Sequence, residues 1–266
     1  MSMLKITNLY KTFNIGTVNE KKALINLNLD VEEGDFITVI GGNGAGKSTM
    51  LNMIAGVYIP EEGTIELDGQ NITRLKEFKR AKYLGRVFQD PMMGTAANME
   101  IQENLALAYR RGKIRGLGWG VTRKEKEEFK QQLKLLDLGL EDRMTAKVGL
   151  LSGGQRQALT LLMATLIKPK VLLLDEHTAA LDPKTAEKVL NVTETLTSRN
   201  NLTTIMITHN MKDAIRYGNR LIMMNNGSII YDVKGEEKKN LTVKDLLLKF
   251  EQNSEGEFAN DRMLLT

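Results

Sequence analysis

The hydrophobic and polar positions change rhythm several times along the chain. Leu4 to Val31 alternates with period two and is broken by a polar stretch from Asn14 to Lys22, which predicts antiparallel strands or a hairpin around a polar loop. Phe36-Ile37-Thr38-Val39-Ile40 is a short apolar run ending at glycines, so it predicts a buried strand, and Lys47 to Ala55 predicts the helix behind it. Gly63 to Gly69 alternates between glycines and reads as a strand, and Leu84 to Phe88 reads as a further short one. From Asp90 to Lys168 helical spacing dominates, most clearly in Glu128 to Leu138. Val171 to Leu174 and Thr203 to Thr208 are apolar or β-branched throughout, the pattern of central strands in a parallel sheet covered on both faces. Between them Pro183 to Ser198 reads as a helix, with Pro183 at the first helical position, where its missing N–H costs nothing. Arg220 to Val233 predicts a hairpin turning at Asn226-Gly227, Thr242 to Phe250 a short amphipathic helix, and the charged tail beyond a frayed end.

These elements predict an α/β fold: a core with a mostly parallel sheet, an N-terminal antiparallel β subdomain and an inserted helical subdomain over approximately residues 90–168, the whole of 1–266 forming one domain. Composition agrees. A chain of 266 residues, 42% hydrophobic and 26% charged, has ordinary globular proportions and can bury a sizeable core. The excess of 37 Lys+Arg over 33 Asp+Glu, a formal +4, suits an anionic ligand or a membrane surface without demanding nucleic acid. Cysteine is absent, which excludes disulfides and cysteine-based metal sites. The opening MSMLKITNLYKTF lacks a signal pattern, and the longest apolar run, Ala158 to Ile167, falls far short of the roughly 20 residues that cross a bilayer.

Chemistry enters at GGNGAGKST. Gly41, Gly46, Lys47 and Ser48 satisfy G-x-x-x-x-G-K-[ST] between a strand and a helix, the P-loop arrangement in which backbone N–H groups approach phosphate oxygens, the lysine faces the outer phosphates and the hydroxyl faces Mg²⁺. Asp175 ends a buried strand, where ligands of open α/β sheets gather, and can hold magnesium through water; Glu176 beside it is the candidate general base. The blander alternative makes Asp175 the cap of the next helix and Glu176 a solvated side chain. His209 and Gln89 also follow strands, the first as a γ-phosphate donor, the second as a sensor of metal or water. None of this explains Ser152-Gly153-Gly154, a second anion-shaped helix start about a hundred residues after the first.

The combination resembles the ATP-binding cassette family over nearly the whole chain. GGNGAGKST is similar to its Walker A loop, LSGGQ to its signature loop, LLLDEHTAALD to its Walker B strand and D-loop, Gln89 to its Q-loop and His209 to its switch histidine, in family order. The resemblance implies a head-to-tail dimer of two copies with ATP held across the seam. It implies that Gly41, Asn43, Gly44, Ala45, Gly46, Lys47, Ser48 and Thr49 bind the nucleotide of their own copy, and that Ser152, Gly153, Gly154 and Gln155 bind that of the other. Mg²⁺ falls to Ser48, Gln89 and Asp175, catalysis to Glu176, His209 and Gln89, and adenine stacking to Phe13, for which a strand-core role is the alternative. Two positions depart from the pattern: His177 stands where many members have proline, and Ala179 where serine is common. Pro91 to Gly120 falls where the family docks the membrane subunit's cytoplasmic helix; Met92, Met93 and Met99 suit an adaptable groove, the alternative being lobe core plus a solvated basic loop at Arg110 to Arg115.

The expectation is therefore the ATPase subunit of a membrane transporter, peripheral on the cytoplasmic face beneath transmembrane permease subunits, and indirectly served by a solute-binding protein. The texture is most similar to bacterial importers of small solutes, and among them to uptake systems for tryptophan or tyrosine. An exporter ATPase and an ATPase of iron–sulfur cluster assembly are the rivals, and no nucleic acid is expected.

Overall fold

The computed structural model describes residues 2–113 and 120–253; part of the expected basic loop and most of the expected frayed tail lie outside the described residues. The chain forms two compact units, one from the residues up to Arg80 with those from Leu202 onward, the other from Ala81–Asn201.

In the first unit β1 (Ser2–Phe13) and β2 (Lys21–Glu32) pair antiparallel around the predicted polar loop. From Leu27 on the period-two pattern does the sorting: Leu27, Leu29 and Val31 are buried while Asn28 and Asp30 face solvent, and left-handed Asn26 (φ 48°) sets buried Leu24 out of that phase. β3 (Phe36–Gly41) is buried from Ile37 onward and feeds α1 (Lys47–Ala55). β4 (Glu62–Leu67) and β5 (Gln70–Asn71) extend the antiparallel sheet to the order β2-β1-β4-β5, and α2 (Glu77–Arg80) follows.

The second unit contains β6 (Leu84–Val87), α3 (Ile101–Tyr109), α4 (Arg123–Lys134), α5 (Gly153–Thr165), β7 (Val171–Asp175) and α6 (Pro183–Asn200). β6 and β7 are parallel, with Val87 opposite Leu174. α4 does not reach Leu138 as its spacing predicts. It stops at Lys134, because Asp137 (φ 52°) and Gly139 (φ 66°) take left-handed conformations that no α-helix continues through. α6 has Pro183 in its first turn, and its cap is Asp182, whose carboxylate accepts from Thr185 N at 3.1 Å; Asp175 is not a helix cap.

The chain then returns to the first unit with β8 (Thr203–Ile207), α7 (Met211–Arg216), β9 (Arg220–Asn225), β10 (Ser228–Lys234), α8 (Glu236–Lys239) and α9 (Val243–Asn253). β3 lies between β8 and β9, parallel to both, and β9 turns into β10 at Asn226-Gly227 with both residues left-handed, as predicted. One core gathers Ile40, Met211, Ala214, Leu221, Met223, Leu246 and Phe250, so the amphipathic face of α9 is spent against β3, β9 and α7. The short α7 and α8 were not expected, since six and four residues are too few to show a period.

Two buried polar groups brace these units. The Arg80 guanidinium has 0% exposure and, among the described residues, no carboxylate partner; it donates to Met53 O (2.7 Å), Ile54 O (2.8 Å), Leu75 O (2.8 Å) and Thr73 O (2.9 Å). Met53 and Ile54 end α1, so the charge also sits at the negative pole of that helix. In the second unit His177 is 2% exposed, and its Nε2 lies 3.1 Å from Thr193 Oγ1. That hydroxyl gives its one proton to Val189 O at 2.9 Å, so the imidazole must be the donor through Nε2. Burial pushes the pKa of His177 down to about 4, and it is neutral near pH 7.

Arg80→Met should lower the unfolding free energy by about 3 kcal/mol or more in a urea titration, because buried carbonyls lose their donors; a change under about 1 kcal/mol contradicts the bracing role. For His177 the unfolded chain, at its ordinary 6.5, binds a proton the native state refuses until about 4. This contribution is complete above about pH 6.5 and is lost as the pH falls towards about 4, an effect on the order of 3 kcal/mol. His177→Gln should flatten that part of the stability profile between about pH 7 and pH 5; an unchanged slope refutes it.

Candidate functional site

β3 delivers the chain to a loop whose outer side is fully engaged. Gly41 (φ 152°) lies so close to β9 that a Cβ would stand 2.2 Å from Met224 O; at Gly46 (φ 99°) one would stand 2.5 Å from Ala23 O. Only glycine permits both approaches. Ala45 O accepts from Gly227 N at 3.1 Å, so the turn of the β9–β10 hairpin props the loop from behind. Lys47 is 5% exposed and folds over the loop, its Nζ donating to Gly41 O (2.7 Å) and Gly42 O (3.1 Å). With these carbonyls occupied, the start of α1 presents backbone N–H groups, an exposed Ser48, a half-buried Thr49 and no acidic side chain in its first turn. That is an anion site by construction. Asn43 and Gly44 are exposed at the crest, and Ala45 is buried.

Phe13 and His209 belong to the same unit. Phe13 ends β1, half-buried, edge-on to Tyr58 with centroids 5.1 Å apart at 76°, and with Lys11 Nζ 5.5 Å from its ring. It is therefore a rim aromatic and not a core one. Val39 pairs with Ile207, and Thr208 N donates to Val39 O at 3.1 Å, which brings the half-buried His209 level with Gly41 at the C-terminal edge of β3 and β8.

In the second unit the parallel register of β6 and β7 releases Gln89 and the pair Asp175–Glu176 at one edge. Gln89 is exposed; Asp175 is half-buried with Arg86 Nη2 at 3.9 Å; Glu176 is half-buried with φ 47°, a left-handed conformation that turns its side chain out of the strand alternation. The signature stretch is a capping box. Ser152 Oγ accepts from Gln155 N at 3.3 Å while Gln155 Oε1 accepts from Ser152 N at 3.2 Å. Ser152 and Gly153 are exposed, Gly154 is buried, and no acidic residue stands in the first turn of α5.

Two residues behind these motifs escaped the sequence reading. Gln157 is buried on α5 and donates through Nε2 to Phe88 O at 3.2 Å, tying the signature helix to the residue before Gln89. Arg156 Nη2 donates to Gly149 O (3.1 Å) and to Leu151 O (3.3 Å), bracing the loop that enters the helix. Adjacency to LSGGQ was the only available signal. Met92 and Met93 are exposed and Met99 is half-buried. Among the described residues no helix is long and apolar enough to cross a membrane.

Comparison with known proteins identifies this arrangement. Residues 24–179, more than half of the 266, match the ABC transporter family. A tyrosine transport ATP-binding protein of Clostridioides difficile (strain R20291) is 47% identical over 249 residues, covering 94% of this chain and 99% of that protein. A phosphonates import ATP-binding protein of Ruegeria sp. (strain TM1040) is 36% identical, covering 87% and 89%. Among solved structures, the dimeric post-hydrolysis state of an ATP-binding cassette bound to ADP and Pi superimposes with a TM-score of 0.74 at 32% identity, covering 87% of this chain and 98% of that one. With the α/β cassette fold, the glycine-bounded phosphate loop and the capped signature helix all present, the chain belongs to the ABC transporter family and is an ATPase of the ATP-binding cassette type.

Proposed function

We propose that this protein is the ATP-hydrolysing subunit of a bacterial importer of small solutes, an aromatic amino acid such as tyrosine or tryptophan being the cargo, and that it works as a head-to-tail pair of copies. The observation that carries the reading is the presence in one chain of two glycine-bounded helix starts with no acidic residue at the cap or in the first turn, α1 behind the phosphate loop and α5 behind exposed Ser152. One such start suffices to bind a nucleotide; a second is accounted for if it closes on the nucleotide of another copy. Two relatives, matched over 99% and 89% of their length, are named for tyrosine transport and phosphonates import, which supports uptake, and the first supports the solute.

In this reading the whole chain is one cassette with a helical lobe over approximately residues 90–168. Phe13 stacks on adenine. The backbone from Gly41 to Thr49 and the Lys47 ammonium hold the phosphates. Glu176 takes the proton of the attacking water, Gln89 orients that water, and His209 donates to the γ-phosphate. Ser152, Gly153, Gly154 and Gln155 grip the γ-phosphate in the other copy, so ATP joins the pair and hydrolysis releases it. The donors offered to magnesium are the Ser48 hydroxyl, the Asp175 carboxylate and the Gln89 amide oxygen, few in number and all hard oxygens. This fits Mg²⁺, which takes the remainder from water and phosphate; among the described residues no cluster of three or more His, Cys, Asp or Glu offers a dedicated cage. When bound, Mg²⁺ neutralises charge on the outer phosphates. Permease subunits supply the membrane passage, the exposed Met92 and Met93 are offered to them, and the protein sits peripherally on the cytoplasmic face.

Glu176→Gln should keep ATP binding, lower turnover on the order of 100-fold or more, and accumulate an ATP-bound dimer in size-exclusion chromatography; unchanged hydrolysis removes Glu176 from the role of base. Ser152→Arg should leave nucleotide binding to the single copy intact and abolish ATP-driven pairing. Normal pairing by that variant would overturn the shared site.

A further inference from the structure

We propose that Lys21 is a second nucleotide-binding cation, whose ammonium contacts the phosphate nearest the ribose. The inference rests on the nucleotide site proposed above and adds to it a residue outside every family motif.

Lys21 opens β2 and is the register partner of Phe13 at the end of β1. Antiparallel partners lie about 5 Å apart, so the lysine starts beside the aromatic platform. Its side chain ends at the phosphate loop: a Cβ built on Gly44 would stand 2.7 Å from Lys21 Nζ. The residue therefore spans the interval between the ring offered to the base and the loop offered to the phosphates. A nucleotide with its base on Phe13 and its outer phosphates over α1 must cross that same interval with its ribose and first phosphate.

Partnering separates Lys21 from its neighbours. Lys11, also beside Phe13, is neutralised by Glu61 at 2.5 Å. Lys47 donates to the carbonyls of Gly41 and Gly42 and lies at the start of α1, where it serves the outer phosphates. The Lys21 side chain is exposed, and among the described residues its ammonium has no hydrogen bond and no ion pair. An ammonium without a counter-ion, held at the crest of an anion-binding loop, raises the local positive potential where a phosphate arrives. Lysine serves there as a point charge that needs no fixed fork geometry. Gly44 leaves that place open, because any side chain on it would grow towards the ammonium.

The test is equilibrium binding of fluorescent ATP and ADP analogues to the purified protein, comparing wild type, Lys21→Met, Lys21→Arg and Lys47→Ala. An exposed charge–phosphate contact predicts that Lys21→Met weakens ATP and ADP alike by about five- to tenfold. The loss should appear in the KM for ATP and not in kcat, Lys21→Arg should recover most of it, and the deficit should shrink as salt rises from about 0.05 to 0.5 M through screening. If Lys47→Ala loses nucleotide while Lys21→Met binds both within twofold of wild type, Lys21 is a solvated lysine and the proposal is wrong. Weakening of ATP alone would move the charge to the terminal phosphate and overturn the contact proposed. If neither variant changes binding, the phosphate loop itself has been misread, and both readings fail together.

Discussion

Backbone meets backbone behind the phosphate loop, and the rest of the first unit is arranged around that contact. Gly227 N holds Ala45 O, Gly41 lies against Met224 O, and Gly46 lies against Ala23 O. Each carbonyl of the loop that is satisfied from the outside or by Lys47 leaves the N–H groups facing the other way. The two strands that make the contact also carry the accessories: β2 brings Ala23 to the loop and Lys21 to its crest, and β9 leads into the turn that props it. A side chain at Gly41 or Gly46 would push these strands away and displace the whole loop, not a single donor.

The helices beside this loop are finished in the same manner, by a buried cation that has no carboxylate partner among the described residues. Arg80 closes the C-terminal end of α1 through the carbonyls of Met53 and Ile54. Lys238 does the same beyond α7, donating to Tyr217 O and to Gly218 O at 2.9 Å, and burial pushes its pKa down to about 8. α7 begins at Asn210, whose side chain accepts from Lys212 N and Asp213 N, directly after His209. The cation at one end and the cap at the other hold the helix start that follows the histidine. These charges are compensated by helix dipoles and carbonyls, so they brace the elements around the loop without a carboxylate of their own.

In the second unit the same economy uses neutral groups. Glu176 leaves β7 in a left-handed conformation, and the next residue, His177, is anchored to α6 through Thr193. The departure from proline at position 177 thus leaves an uncharged peg in the core. Around the signature helix the capping box spends Ser152 Oγ and Gln155 Oε1 on backbone N–H groups, and Gln157 reaches across to the carbonyl before Gln89. The motif residues are held by neighbours that carry no motif of their own.

Much of this was legible in the residues. The strand–loop–helix around Lys47, the strand ending at Asp175, the hairpin at Asn226-Gly227 and the capped start of α5 all follow from periods and turn chemistry that act within a few residues, so the chain dictates them locally. The same local reading ran α4 on to Leu138, where Asp137 and Gly139 break it, and passed over α7 and α8 because each is shorter than a readable period. Arg80 beneath α1, Lys21 against Gly44, Gln157 under Phe88 and His177 on Thr193 became visible only in three dimensions. Their partners lie 27, 23, 69 and 16 residues away along the chain, and no periodicity records which distant atoms strand register and helix crossing will bring together.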